Sequence, residues 1–174
     1  MSLRTRLALH REPLFLMDGS AFIFRGFFAN RTMRRSDGFP TNALAVVSRI
    51  LLRILRGERP RYFAFIQDGK GKNFRHEIYA QYKANRDATP EDLVRQLEPI
   101  RQLVRALGLR LEVSRGCEAD DCIASLAARF SEERPVIIIS GDKDLKQCLG
   151  PNVYMWDPAA KEEKLTDASA FTAE

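Results

Sequence analysis

Sulfur and imidazole are scarce in this chain. Its three cysteines, Cys117, Cys122 and Cys148, are an odd set with no C-x-x-C pair, and His10 and His76 are the only histidines. That leaves too few ligands for a structural zinc site, and unpaired thiols fit a reducing compartment better than a disulfide framework. No apolar stretch approaches the roughly 20 residues of a membrane span, and the Arg-rich start lacks the apolar core of a signal peptide. Internal repeats and low-complexity tracts are also missing. With 174 residues the chain has the length of one domain, residues 1–174, with a proper core.

What is present is acid in particular places. Three short apolar runs each end at aspartate: LFLMD at Asp18, FAFIQD at Asp68, and VIIISGDKD at Asp142 and Asp144. A fourth segment reads Glu118-Ala119-Asp120-Asp121. Apolar runs of four to six residues without polar alternation are the pattern of strands buried on both faces, which are mostly parallel. Parallel strands share a C-terminal edge, and open α/β sheets bind ligands there. Two like charges about 4 Å apart repel by about 4 kcal/mol at an effective dielectric near 20, so seven acids gathered on that edge need a cation. Oxygen ligands without nearby His or Cys suit Mg²⁺ or Mn²⁺. Each group also has a plainer reading, as turn residues or as acids at a helix N-terminus. Elsewhere the chain is basic, with a formal charge of +5 and a pI near 9.3, which suits a polyanionic partner as well as ordinary solubility.

Strands and helices alternate. Strands are expected at Leu14 to Asp18, Tyr62 to Gln67, Leu109 to Val113, Val136 to Ser140 and, more weakly, Val153 to Trp156. Helices are expected from Ser20 to about Asn30, from the Thr41 cap to Gly57, from the Thr89-Pro90-Glu91-Asp92 start to Gly108 with a kink at Pro99, and from Asp120 to Phe130. This order predicts an α/β parallel sheet with helices on both faces. In an extended loop after the fourth strand, Asp142 and Asp144 would point the same way.

The segment KGKNFRHEIYAQYKANR, Lys70 to Arg86, carries five Lys or Arg against the single acid Glu77. Its Gly69-Lys70-Gly71-Lys72 start lacks the spacing and the Ser/Thr of a nucleotide phosphate loop. If Phe74 to Arg86 is helical, Arg75, Tyr79, Tyr82, Lys83 and Arg86 share one face, a stripe suited to phosphates and stacked bases. A solvated basic face with the tyrosines partly packed is the alternative.

The motifs LFLMDGSAFIFRGFF, IQDGKGKNFRHEIYAQYKANR, GCEADDCIASLA and ISGDKDLKQCL occur in an order that resembles the 5′ nuclease family, specifically the N-terminal 5′→3′ exonuclease domain of bacterial DNA polymerase I and its flap endonuclease relatives. The resemblance implies a PIN-like parallel α/β fold that cleaves phosphodiesters near the 5′ end of branched DNA with two divalent metals, Mg²⁺ or Mn²⁺, in primer removal and repair. By motif match, Asp18, Asp68, Glu118, Asp120, Asp121, Asp142 and Asp144 are the metal-site acids. Lys83 and Arg86 are the basic pair of a helical arch spanning about 69–88, Tyr82 stands beside them, and Arg25 sits near the phosphate. Lys70, Lys72, Arg75 and Tyr79 complete the candidate DNA contacts. The implied setting is the bacterial cytoplasm at the nucleoid, with a polymerase covalently linked in the longer protein. An arch with so little apolar surface is expected to be mobile without substrate.

There are departures from the family pattern. Gln67 replaces an apolar or aromatic residue, and the family's last aspartate pair and helix-hairpin-helix region lie beyond Glu174. The expectation is therefore a domain that folds by itself, binds a first metal, holds a second weakly and cleaves poorly. Two other readings stay open: a DNA-binding module without catalysis, and a Toprim-type phosphotransfer domain, which would need neither Asp18, Asp68 nor the arch. A haloacid-dehalogenase-like phosphatase is disfavoured, since Ser20 stands where it needs an acid.

Overall fold

The computed structural model describes residues 1–29, 32–69, 71, 73–85 and 88–171, so Lys70, Lys72 and Arg86 lie outside the described residues. In chain order the elements are α1 (Leu3–Arg6), β1 (Leu14–Asp18), α2 (Gly19–Ala29), α3 (Asn42–Glu58), β2 (Tyr62–Gln67), α4 (Phe74–Ile78) and α5 (Glu91–Ala106). They continue with β3 (Arg110–Val113), α6 (Ala119–Ser131), β4 (Val136–Ile139), a 3₁₀ turn (Lys143–Cys148), β5 (Val153–Asp157), β6 (Lys164–Thr166) and α7 (Ala168–Phe171). Every expected strand forms within a residue of its bounds. β6 was not expected, because its three residues carry no apolar run. α5 passes through Pro99 unbroken.

The six strands lie in the order β3-β2-β1-β4-β5-β6. The first five are parallel, with Leu14 opposite Tyr62 and Val136, and only β6 runs antiparallel, on β5. Alternate side chains of the central strands go to opposite faces, as the two-residue repeat of a strand requires. Phe15, Met17, Phe63, Phe65, Ile137 and Ile139 join one core with residues of α2, α3 and α5. Leu16, Ala64, Ile66, Val136 and Ile138 pack under α6 and Leu145 of the 3₁₀ turn. Both faces of β1 and β4 are thus dry, which explains why their sequences are continuous apolar runs.

Polar groups pin the three-helix side. Gln96, fully buried, donates from Nε2 to Asn42 Oδ1 at 2.8 Å and to the Asp92 carbonyl at 3.0 Å, while its Oε1 accepts from Leu44 N at 3.2 Å. Asn42 Nδ2 in turn donates to the Phe27 carbonyl at 2.5 Å. This network fixes α3 against α2 and α5 and satisfies backbone groups at the start of α3 that would otherwise be costly to bury. Among the described residues no helix is long and apolar enough to cross a membrane.

Candidate active site

The chain steps outward from β1 to β2 to β3, and α6 then carries it back across the sheet to β4 on the other side of β1. The β1–β4 boundary is therefore the topological switch point, where diverging connections leave a crevice above the C-terminal strand ends. Asp18 is the last residue of β1, and Ser140-Gly141-Asp142 follows β4. Asp68 follows β2 next door, and Glu118 precedes the first turn of α6, which holds Asp120 and Asp121.

The crevice is wired by serines. Asp18 is buried, its Oδ1 accepting from Ala21 N at 3.0 Å and its Oδ2 from Ser140 Oγ at 2.8 Å. Ser140, fully buried, also accepts from Asp142 N at 3.1 Å, so one hydroxyl joins the ends of β1 and β4. Asp68 N donates to Ser20 Oγ at 2.8 Å, and Asp68 Oδ1 accepts from Ala119 N at 2.7 Å, tying β2 to the start of α6. Ser114 Oγ accepts from Gly69 N at 3.3 Å. A side chain at Gly69 would stand 1.9 Å from the Ser114 carbonyl oxygen, so only glycine permits that approach.

Carboxylates of the crevice feel one another. Burial raises the Asp18 pKa above its ordinary value, against the hydrogen bonds from Ala21 and Ser140, and the charges of Asp68 and Asp142 add to the rise. Burial, then the charges of Asp18, Asp142, Asp68 and Glu118, push Asp120 up to about 6. Among the described residues neither Asp18 nor Asp120 is ion-paired with a Lys or Arg, and uncompensated charge of this kind is the electrostatic mark of a functional cluster.

Glu118 and Asp121 are different. Lys83 Nζ donates to Glu118 Oε1 at 2.6 Å, Asn73 Nδ2 to the same oxygen at 3.1 Å, and the Tyr82 hydroxyl to Oε2 at 3.2 Å. Arg75 grips Asp121 with both guanidinium nitrogens at 2.5 and 2.6 Å. Burial alone would raise Glu118, but the hydrogen bond and charge of Lys83, with Arg75 and Tyr82, hold it below its usual range. The Arg75 hydrogen bonds lower Asp121 in the same way.

Several expectations need correction. The helix read from Phe74 to Arg86 stops at Ile78, and Tyr79 is already extended. Lys83 has a φ of 56°, a left-handed conformation incompatible with a continuing helix. Arg75, Tyr82 and Lys83 meet because the chain after α4 folds back onto the acids of α6, and a segment poor in apolar stripe has no helical face to defend. Tyr79 is exposed and its hydroxyl donates to Gln81 Oε1, outside that cluster. The extended loop read for Asp142 and Asp144 is also wrong: Asp142 caps the 3₁₀ turn by accepting from Asp144 N at 3.0 Å, as the plainer reading had it. Thr41 precedes α3 but makes no side-chain cap.

Arg25 makes two hydrogen bonds to Asp157, at 3.0 and 3.1 Å, and lies over the Phe22 ring. A Cβ at Gly141 would fall 2.2 Å from the Arg25 guanidinium and 2.6 Å from Asp157, so the glycine leaves room for the pair. Gln67 is buried because its Oε1 accepts from Arg101 Nε at 2.8 Å. Sequence reading passed over Ser20, Asn73, Ser140 and Asp157. Only the hydroxyl straight after a buried strand was a usable sign, and it pointed nowhere until β4 was known to neighbour β1.

Among the described residues no three His, Cys, Asp or Glu side chains stand together closely enough to hold a metal ion. Glu118 and Asp121 are turned to Lys83 and Arg75. The donor set of the crevice is nevertheless all oxygen and, among the described residues, mutually repelling, which fits a hard divalent cation.

Known proteins share this fold. Residues 13–174 match the family model described as 5′-3′ exonuclease, N-terminal resolvase-like domain. DNA polymerase I of Pseudomonas aeruginosa is 42% identical over 148 residues, 84% of this chain and 16% of that protein. The 5′-3′ exonuclease of Aquifex aeolicus is 40% identical over 152 residues, 87% of this chain and 53% of that one. The chain thus spans about half of one relative and about a sixth of the other. Among solved structures, a T5 5′-exonuclease with bound zinc superposes with a TM-score of 0.71 at 21% identity, covering 87% of this chain and 57% of its own. A bacteriophage T5 flap endonuclease in a pseudo-enzyme–product complex with DNA and metal ions gives 0.68 at 25% identity, with the same two coverages. The fold is therefore the PIN-like α/β fold of these nucleases, and the chain belongs to the family of 5′-3′ exonuclease N-terminal domains.

Proposed function

We propose that this chain is the nucleolytic part of a metal-dependent 5′→3′ exonuclease and 5′-flap endonuclease, hydrolysing phosphodiesters of DNA. The observation that carries the reading is the shared field of Asp18, Asp68, Asp120 and Asp142 at the switch point, strong enough with burial to push Asp120 to about 6. Those four would hold Mg²⁺ or Mn²⁺, with Glu118, Asp121 and Asp144 at the rim. Bound divalent cations supply a water of lowered pKa and neutralise charge on the leaving oxygen. The chain's own part is positioning. Ser140 and the Ala21 amide aim Asp18, the Ala119 amide aims Asp68, and burial keeps bulk water off Asp18. Lys83, released from Glu118, would neutralise the scissile phosphate as charge develops, with Arg75 and Arg86 holding neighbouring phosphates. Arg25, oriented by Asp157, would face the same strand.

A second reading, DNA binding without cleavage, is favoured by the engagement of Glu118 and Asp121 with arch cations. One assay separates the two: a 5′-flapped duplex labelled at the flap, incubated with Mg²⁺ or Mn²⁺ and with chelator. Metal-dependent release of 5′ products by the wild type, absent in Asp18→Asn, is the expected result. Binding without any release by the wild type would leave only the second reading.

A further inference from the structure

The arch accounts for cations on one side of the acid crevice; a second group lies on the other. Ser140, Gly141, Lys143, Lys146, Lys164 and Thr166 line a cleft of about 100 Å³ between the 3₁₀ turn and the β5–β6 edge. At roughly 30 Å³ per water molecule, that is room for a small oxyanion. Of the five lysines among the described residues, three border this one cleft, so their convergence is not the chain's general basicity. Among the described residues, Lys143 and Lys164 enter no ion pair. Nearby acids are largely spoken for. Asp157, which also lines the cleft, is held by Arg25, and Glu163 is held by Arg6 and Arg53. The cleft shares Ser140 with the crevice, since that hydroxyl bonds both Asp18 and the Asp142 amide.

We propose that Lys143, Lys146 and Lys164 form a binding subsite for a backbone phosphate of the bound nucleic acid, one step beyond the acid crevice and opposite the arch. The inference rests on the nuclease reading for the identity of the polyanion and adds the direction in which it runs: over the crevice, from the arch cations to the β5–β6 edge. Lysine suits this task because a mobile ammonium serves as a point charge for a phosphate that differs little from one sequence to the next. The subsite therefore raises affinity without adding base specificity.

The test is the salt dependence of binding to a 5′-flapped duplex, read by fluorescence anisotropy in Ca²⁺ across about 50–200 mM salt. Each phosphate contact contributes about 0.9 to the slope of log K against log salt on duplex DNA. The triple variant Lys143→Gln/Lys146→Gln/Lys164→Gln should show a slope shallower by about one to three contacts, and Lys143→Arg/Lys146→Arg/Lys164→Arg should keep the wild-type slope. Lys161→Gln, which removes one charge away from the cleft, should leave the slope unchanged. An unchanged slope in the Gln triple overturns the subsite while leaving the nuclease reading intact; no DNA binding by the wild type overturns both. Inorganic phosphate that raises the melting temperature of the wild type but not of the triple, with equal DNA slopes, would assign the cleft to free phosphate and overturn the backbone reading.

Discussion

Two sets of carboxylates that meet at the start of α6 behave in opposite ways. In the crevice, Asp18 and Asp120 are pushed above their ordinary pKa by burial and by the charges of neighbouring carboxylates. At the mouth, Glu118 and Asp121 are held below theirs by Lys83 and Arg75. Asp120 and Asp121 are neighbours on one helix, so residue type and local sequence do not separate them; the side of α6 on which each points does. The crevice acids face one another, whereas the acids at the mouth face Lys83 and Arg75 of the segment proposed to grip DNA. On the proposed reading, metal and arch compete for Glu118 and Asp121, so engaging one loosens the other.

The largest effect expected from this contrast is on turnover. Asp18→Asn should lower metal-dependent cleavage by about 10²–10³-fold, the cost of losing one preorganised electrostatic group, and should also weaken the thermal stabilisation given by Mn²⁺. A variant that keeps full cleavage would remove the crevice from the mechanism.

Lys83→Ala is the sharper probe of the mouth. Cleavage should fall by about 10²-fold, while affinity for Mn²⁺, measured by calorimetry without DNA, should be unchanged or tighter because Glu118 loses its competing partner. Weaker metal binding would show that the lysine organises the acids and does not compete for them.

Asp120 gives a pH signature. Its folded pKa of about 6 lies above the ordinary 3.8, so the folded state holds this proton more tightly than the unfolded one. The resulting stability is complete below about pH 4 and is lost as pH rises to about 6. Asp120→Asn should therefore match the wild type near pH 4 and exceed it by about 1–2 kcal/mol at pH 7 without metal, after allowance for solvent screening of a half-buried group. Saturating Mn²⁺ should abolish that advantage. Denaturant melts at the two pH values read the difference, and a stability gap that is equal at both would contradict the shared field.

The smallest effect belongs to Arg75. Its pair with Asp121 is partly solvated, with side chains 30% and 25% exposed, so Arg75→Ala should cost only about 0.5–1 kcal/mol near neutral pH. Because Asp121 is lowered in the folded state, that contribution should fade as pH drops through the carboxylate range, the reverse of the Asp120 trend. A thermal melt series from pH 3 to 7 would check the sign.

Much of the fold could be read from the chain because buried parallel strands write themselves as unbroken apolar runs. Leu14–Asp18, Tyr62–Gln67 and Val136–Ile139 were visible for that reason, as was the start of α5 from Pro90 and the acids behind it. β6 was not, since an edge strand of three residues on an antiparallel pairing needs no apolar run. The arch was misread because cation spacing imitated a helical face, whereas ion pairs to Glu118 and Asp121 bend the chain after Ile78.

By itself, the sequence determined which residues end the strands and that those ends carry oxygen ligands, because hydrophobic burial and the two-residue strand repeat are local properties of a chain. Only the tertiary structure decided that β4 lies beside β1, so that Ser140 reaches both Asp18 and Asp142, that Asp157 claims Arg25, and that three lysines meet beside the crevice. Those contacts join residues up to 132 positions apart. They are set by strand order and by competition among charges for partners, which spacing along the chain does not encode.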